Sequence, residues 1–222
     1  MFEELGEISQ FQFKTSSIEQ YDCQNYELDA NAYRFNSFIQ FTIRDLIQPS
    51  ECETGMAPAK NTSSIGFLPN GDYNVQISLK NTISNQGKLQ VTADAFTLKM
   101  ESLDGIELAS TELKRIPAKS IWGYVGYQNK DEVGNQPELF IQDLKNSSLT
   151  INLPQGEYGY FKIENNGQLI LNPPPKFTFF QTFLFKYDKN LQELESLLEA
   201  YRMGPANGKM EIKVFTWEGE SF

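Results

Sequence analysis

The chain has 222 residues, with 29 acidic side chains against 19 basic ones (net charge −10), two cysteines and no histidine. That length gives one large domain or two small ones, and it buries enough surface to fold without a metal or disulfide staple. The acidic balance argues against nucleic acid or an anionic membrane as the main partner, since phosphate recognition needs clustered Lys and Arg. The missing histidine excludes Ser-His-Asp and Cys-His triads and every His-ligated metal within the chain. A carboxylate pair, a lysine or an oxygen-held metal is what remains for catalysis.

The segment Met1–Ile8 is acidic and lacks the apolar run of a secretory signal. It places the chain in the cytoplasm if the sequence is full length, and in an exported or surface protein if a signal segment has been removed. Period-2 alternation then dominates, the mark of half-buried strands. Phe11 and Phe13 alternate with Gln10, Gln12 and Lys14; Tyr33, Phe35, Ile39, Phe41 and Ile43 share one face, opposite Arg34, Asn36, Gln40, Thr42 and Arg44. Tyr73, Val75, Ile77 and Leu79 form the cleanest strand. The next begins at Leu89, Val91 and Ala93 and changes phase to Phe96, Leu98 and Met100, which calls for a bulge near Asp94-Ala95.

Further strands are expected at 106–111, 121–128, 138–144, 148–153, 157–164 and 168–171. Phe177, Phe179, Phe183, Phe185 and Tyr187 make one aromatic face of a long strand, placed centrally in a sheet. Thr178, Gln181, Thr182 and Lys186 interrupt that stretch, so no transmembrane helix is expected. Asn70-Gly71, Asp104-Gly105 and Asn166-Gly167 read as tight turns, and Pro173-Pro174-Pro175 as a stiff connector. One helix is expected, with Leu191, Leu194, Leu198 and Tyr201 on a single stripe, Asn190 as its cap and Gly204-Pro205 as its stop. A last strand, Met210–Phe215, follows.

Leu68-Pro69-Asn70-Gly71-Asp72-Tyr73 recurs as Leu153-Pro154-Gln155-Gly156-Glu157-Tyr158. This Leu-Pro-x-Gly-acid-Tyr pattern resembles the turn before a late strand in immunoglobulin-like and transthyretin-like sandwiches. The resemblance implies a sandwich in which the tyrosine packs at a corner and bonds its hydroxyl back to nearby backbone. It implies no function, and the Cys…Trp…Cys spacing of antibody domains is absent. The expected fold is therefore an all-β, antiparallel β-sandwich, immunoglobulin-like or jelly-roll-like, with one C-terminal α-helix. It is read as a single compact unit over 1–222, with tandem sandwiches over 1–102 and 103–222 as the alternative.

Candidate sites are few. Cys23 and Cys52 are either two reduced, partly buried thiols or a disulfide closing the loop between them. Asn61-Thr62-Ser63 and Asn146-Ser147-Ser148 fit the glycosylation acceptor pattern. Asp131, Glu132 and Asn135, read as a loop, offer oxygen ligands for calcium without EF-hand spacing. Trp122, Tyr124 and Tyr127, interleaved with Gly123 and Gly126, form either a sugar-stacking platform or rings packed over glycines in a core. The carboxylates, including Asp94 and Glu101, read as surface charge, and no phosphate-binding loop or dinucleotide fingerprint occurs. These features point to a non-enzymatic protein with no cofactor that works by protein–protein interaction or assembly, self-association included. The alternative is a carbohydrate-binding module, calcium-assisted, of an exported or surface protein.

Overall fold

The alternating runs of the N-terminal half are strands, and their side chains explain how they stack. In the computed structural model, which describes residues 1–171 and 176–222, contacts divide the chain into two units, Met1–Arg115 and Ile116–Phe222. The Pro173–Pro175 connector lies outside the described residues.

The first unit carries β1 (Phe2–Glu4), β2 (Gln10–Cys23), β3 (Glu27–Phe35), β4 (Phe38–Ile47), β5 (Thr54–Ser64), β6 (Gly71–Leu79), β7 (Ile83–Val91), β8 (Ala95–Met100) and β9 (Glu112–Lys114). They form one sheet in the order β1-β2-β5-β3-β4-β6-β7-β8-β9. Pairing is antiparallel except at β3/β5 and β4/β6, which are parallel. The parallel β4/β6 pair arises because the chain leaves β4, runs along β5 and crosses back, as any parallel pair requires.

A flat sheet with strands about 4.8 Å apart would put β2 roughly 14 Å from β4 and roughly 29 Å from β8. Instead the Phe13 and Phe41 rings stack at 5.1 Å, and Phe11 meets Phe96 of β8 at 4.9 Å. The sheet is therefore folded over on itself, giving a sandwich-like enclosure around Ile39, Val75, Leu89 and Leu98. Its two ends are tied by Arg115, whose Nη2 donates to the buried Glu3 Oε1 at 2.7 Å and whose Nε donates to Oε2 at 3.3 Å. At the β3/β5 seam, Asn61 Nδ2 replaces a ladder, donating to the carbonyls of Leu28 (3.1 Å) and Ala30 (3.2 Å).

The second unit carries β10 (Ser120–Tyr127), α1 (Lys130–Val133), α2 (Gln136–Asn146), β11 (Leu149–Thr150), β12 (Gly156–Glu157), β13 (Lys162–Ile163), β14 (Leu169–Ile170), β15 (Phe179–Lys186), α3 (Leu191–Arg202) and β16 (Met210–Thr216). A four-stranded sheet runs β11-β15-β10-β16, and β12-β13-β14 form a small separate one. Helices α2 and α3 cover one face of the larger sheet: Phe140, Leu144, Leu194 and Leu198 pack on Ile121, Val125, Ile212 and Val214. Asn190 caps α3, its Oδ1 accepting from the Gln192 N–H at 3.0 Å.

Five local expectations are corrected. Tyr33 and Phe35 do not share the core face of Ile39 and Phe41: the turn at Asn36-Ser37 pairs Phe35 with Phe38 and Tyr33 with Gln40, which puts both rings on the outer face, 71% and 49% exposed. Residues 138–144 are helix, because Pro137, Phe140 and Leu144 recur at helical spacing and bury one stripe. Asp131 and Glu132 lie in the helical turn α1, not in a loop, and Asn129 caps that turn through the Asp131 N–H at 3.0 Å. The phase change after Val91 is a hairpin turn, not a bulge: Thr92 N–H donates to the Ala95 carbonyl at 2.9 Å, and Val91 pairs with Phe96. Residues 106–111 form no strand, since β9 takes the free edge of β8; Ile106 and Leu108 only lean on the core. The buried Asn85 pins the loop before them, accepting from Asp104 N–H at 2.7 Å and donating to its carbonyl at 3.1 Å.

Both copies of the Leu-Pro-x-Gly-acid-Tyr segment make the same corner, one in each unit. Tyr73 donates to the Pro69 carbonyl at 2.8 Å, and Tyr158 donates to the Pro154 carbonyl at 2.9 Å. Gly71 (φ +153°) and Gly156 (φ +154°) share a backbone conformation that side chains rarely adopt, which is why each copy has glycine there.

Candidate functional site

β10 is buried along its whole length, so its aromatics are core. Trp122 is 1% exposed and is ringed by Tyr160 (5.7 Å), Phe161 (5.3 Å) and Phe215 (6.0 Å). Tyr124 and Tyr127 are also buried, against Phe177 and Phe179 respectively. The glycines between them make room for close neighbours: a Cβ on Gly126 would stand 2.6 Å from the Phe177 ring, and one on Gly123 would meet the Lys213 carbonyl first and then the Phe183 ring at 2.8 Å. This strand therefore offers no exposed stacking platform, because a face that packs against Phe161 and Phe215 cannot also face water.

Tyr124 and Tyr127 do reach the wall of a cleft of about 710 Å³ beside β16. There Tyr124 donates to Glu211 Oε1 at 3.0 Å, while the Lys176 ammonium binds Glu211 Oε2. Burial, then the bond to Glu211, pushes the Tyr124 hydroxyl up to about 12. The Lys176 hydrogen bond, reinforced by Tyr124, holds the Glu211 carboxyl below its usual value. Near neutrality Tyr124 keeps its proton and Glu211 stays ionised, so neither is poised to exchange one. Lys176, Arg202, Lys209 and Lys213 make the rest of this wall cationic. Sequence reading missed Glu211 and Lys176; the only signal was the polar alternation of Glu211 and Lys213 along β16.

Glu132 is occupied by the α1 cap, accepting from Asn129 Nδ2 at 3.2 Å, and Asn135 precedes α2. Among the described residues no group of three or more acidic or thiol side chains converges as a metal site. Asn61 of the first acceptor pattern is held in the β3/β5 seam, whereas Asn146 is exposed at the end of α2.

Cys23 and Cys52 are joined as a disulfide. The bond sits on a feature that sequence reading did not single out. Beyond Phe13, strands β2, β3, β4 and β5 continue as an arm in which Cys23 alone is buried across residues 14–29 and 44–58. From Lys14 to Cys23 this is roughly 25–30 Å of extended chain. The disulfide joins the tip, where Gln24 N–H donates to the Glu53 carbonyl at 2.8 Å and Asn25 Nδ2 to the Glu51 carbonyl at 2.7 Å. Ile18 (77% exposed), Met56 (66%) and Ile47 (47%) project from the arm. Residues 14–29 and 44–58 hold seven acidic side chains against Lys14 and Arg44, −5 of the chain's net −10.

A second surface is the outer face of the first unit's sheet. The rows Tyr33–Gln40–Gln76–Gln86 and Asn31–Thr42–Ser78–Ser84 cross β3, β4, β6 and β7 without a charge, and the next row, Phe35–Phe38–Asn74, ends on β7 in the exposed Lys88. Tyr33 bonds to Gln40, Gln76 Nε2 donates to Ser84 Oγ at 2.7 Å, and Phe35 is 71% exposed.

Searches of protein-family models, curated proteins and solved structures find no match to the chain.

Proposed function

We propose that this protein works by non-covalent association with another protein chain, through the disulfide-tipped arm, and not by catalysis. The observation that carries this reading is that along the arm Cys23 alone is fully buried, with Ile18, Ile47 and Met56 standing in water. Paired strands with no core beneath them gain little from their own burial, and exposed apolar side chains on such an element mark an interaction surface. The disulfide supplies order that packing does not, and it fits an oxidising compartment. The non-catalytic part rests on the absence of histidine and on the mutually satisfied Tyr124–Glu211–Lys176 set.

The test is site-specific photo-crosslinking in the native cell. A photoreactive residue at Ile18 or Met56 should give a discrete protein adduct that reduction of the disulfide abolishes. The same residue at exposed Gln90, off the arm, should give none. No adduct from either arm position, or equal adducts from all three, defeats the proposal.

A second reading is favoured by the uncharged rows on the outer sheet face. Amides and hydroxyls beside Tyr33 and Phe35 suit a neutral carbohydrate, with ring faces stacking on sugars and the amides bonding hydroxyls. It predicts retarded migration in native gels containing neutral β-glucan, α-glucan or galactomannan, lost on Tyr33→Ala with Phe35→Ala. Unchanged migration in all three gels removes this reading.

A further inference from the structure

Building on the arm as the association element, we infer that its partner is a second copy of this chain, received at the cationic cleft beside β16. Val214 N–H donates to the Phe222 carbonyl at 3.1 Å, Phe222 N–H returns a bond to the Val214 carbonyl at 2.9 Å, and Thr216 N–H donates to Glu220 at 3.0 Å. Val214 and Thr216 thus turn their backbone groups away from β10, and by the two-residue period of a strand so does Ile212. The C-terminal residues cover the edge at 214–216 and reach no further. At Ile212, a core residue only 4% exposed, the outward N–H and carbonyl have no backbone partner among the described residues, and the cleft of about 710 Å³ lies beside it.

The side chains around that edge select the sign of what can pair with it. Lys176, Arg202, Lys209 and Lys213 surround the opening, and its one carboxylate, Glu211, is already neutralised by Lys176. A wall with four cations and one paired acid, in a chain of net charge −10, favours an acidic extended strand.

The arm is such a strand. β1 pairs with β2 only at Gln10–Gln12, so from Lys14 to Cys23 the outer edge of β2 has no neighbouring strand. That stretch carries Glu19, Asp22 and the exposed Ile18 against Lys14 at its base, within an arm (14–29 and 44–58) that holds −5 of the net charge. Its register shift between Ser16 and Gln20 blunts indiscriminate edge pairing, which leaves charge to choose the partner. The contact is strand addition: backbone bonds at the two edges, carboxylates against ammonium and guanidinium groups, and Ile18 against the cleft. Donor and acceptor are different surfaces, so the contact is heterologous, and each added copy exposes a fresh acceptor. Growth is therefore head to tail.

Sedimentation velocity of the whole oxidised chain tests this. At low ionic strength (about 25 mM salt) the weight-average mass should rise above 25.4 kDa with protein concentration, and at about 500 mM salt it should return to the chain mass. Lys209→Glu with Lys213→Glu, and separately Glu19→Lys with Asp22→Lys, should each remain monomeric at low salt. Mixing the two reversed proteins should restore the higher mass, since each then offers the other a complementary edge. Recovery on mixing also excludes misfolding as the cause of the loss. A wild-type chain monomeric at every concentration and salt overturns the inference, as does association that the cleft variants leave unchanged. Arm-specific cross-links to a different protein would then still carry the association reading, so the two fail separately.

Discussion

The repeated tyrosine corner gives the sharpest stability test, because each unit contains one copy and the two can be altered independently. Tyr73→Phe and Tyr158→Phe each remove one hydroxyl and keep the ring. The residues are 7% and 3% exposed, so no large cavity opens, and the bonds lost are those of 2.8 and 2.9 Å to the Pro69 and Pro154 carbonyls. A net hydrogen bond contributes about 1 kcal/mol, and stranding its acceptor adds up to roughly 1 kcal/mol more, so each change should cost about 1–2 kcal/mol. With a urea slope near 2 kcal/mol/M the midpoint should fall by about 0.5–1 M. Both tryptophans, Trp122 and Trp217, lie in the second unit. Urea titration followed by tryptophan fluorescence should therefore report the Tyr158→Phe shift and leave the Tyr73→Phe midpoint in place. The Tyr73→Phe shift should appear in far-ultraviolet circular dichroism instead. Equal fluorescence shifts for both variants, or shifts below about 0.2 M, would refute the reasoning that each corner bond stabilises its own unit.

Three other outcomes are expected. Reducing the Cys23–Cys52 bond, which closes a span of 29 residues, should destabilise the first unit by about 3–4 kcal/mol on the loop-entropy relation, with faster amide exchange in the arm than in β6 or β7. Gly126→Ala should cost about 1–3 kcal/mol by crowding the Phe177 ring, measured by urea unfolding, whereas the exposed Gly134→Ala tests only backbone strain at φ +57°. A spectroscopic phenolate titration should show Tyr124 and Tyr201 ionising last, near 12, Tyr201 being raised by burial and by its bond to Asp143. Because the folded value exceeds the unfolded value near 10, this stabilisation is complete below pH 10 and is lost as pH rises through about 12. Tyr124→Phe should remove one late proton and reduce the loss.

Particular residues show how far the sequence could be read. The strand pattern was legible wherever a strand has one covered and one wet face, as at Tyr73–Leu79 and Ile212–Val214. The Leu191–Tyr201 stripe and its Asn190 cap were legible because capping and helical spacing are local. Residues 138–144 were misread because Leu139 and Ile141, on the less buried side of α2, mimic alternation when Phe140 and Leu144 are not weighed together. Trp122, Tyr124 and Tyr127 showed their chemistry but not their burial: Tyr160, Phe161 and Phe215, which cover Trp122, come from elsewhere in the chain.

The candidate association surfaces were the least legible part. Beyond Phe13 the stretch Thr15–Cys23 carries no apolar face, with Glu19 on the parity of Tyr21 and Cys23 and Ile18 on the other, and nothing local shows that it pairs on as an arm. The acidic excess of the arm is dispersed over two segments and gathers only when β2, β3, β4 and β5 pair.

By itself, then, the amino-acid sequence determined the local conformations: which residues alternate, where glycine permits a turn, where a tyrosine can close a corner and where α3 begins and stops. The tertiary structure alone decided that the first sheet folds until Phe11 meets Phe96 and Glu3 meets Arg115, that β10 is covered on both faces, and that along the arm only Cys23 is fully buried. The physical reason is that period and propensity act over a few residues, while burial depends on what the rest of the chain lays against each face.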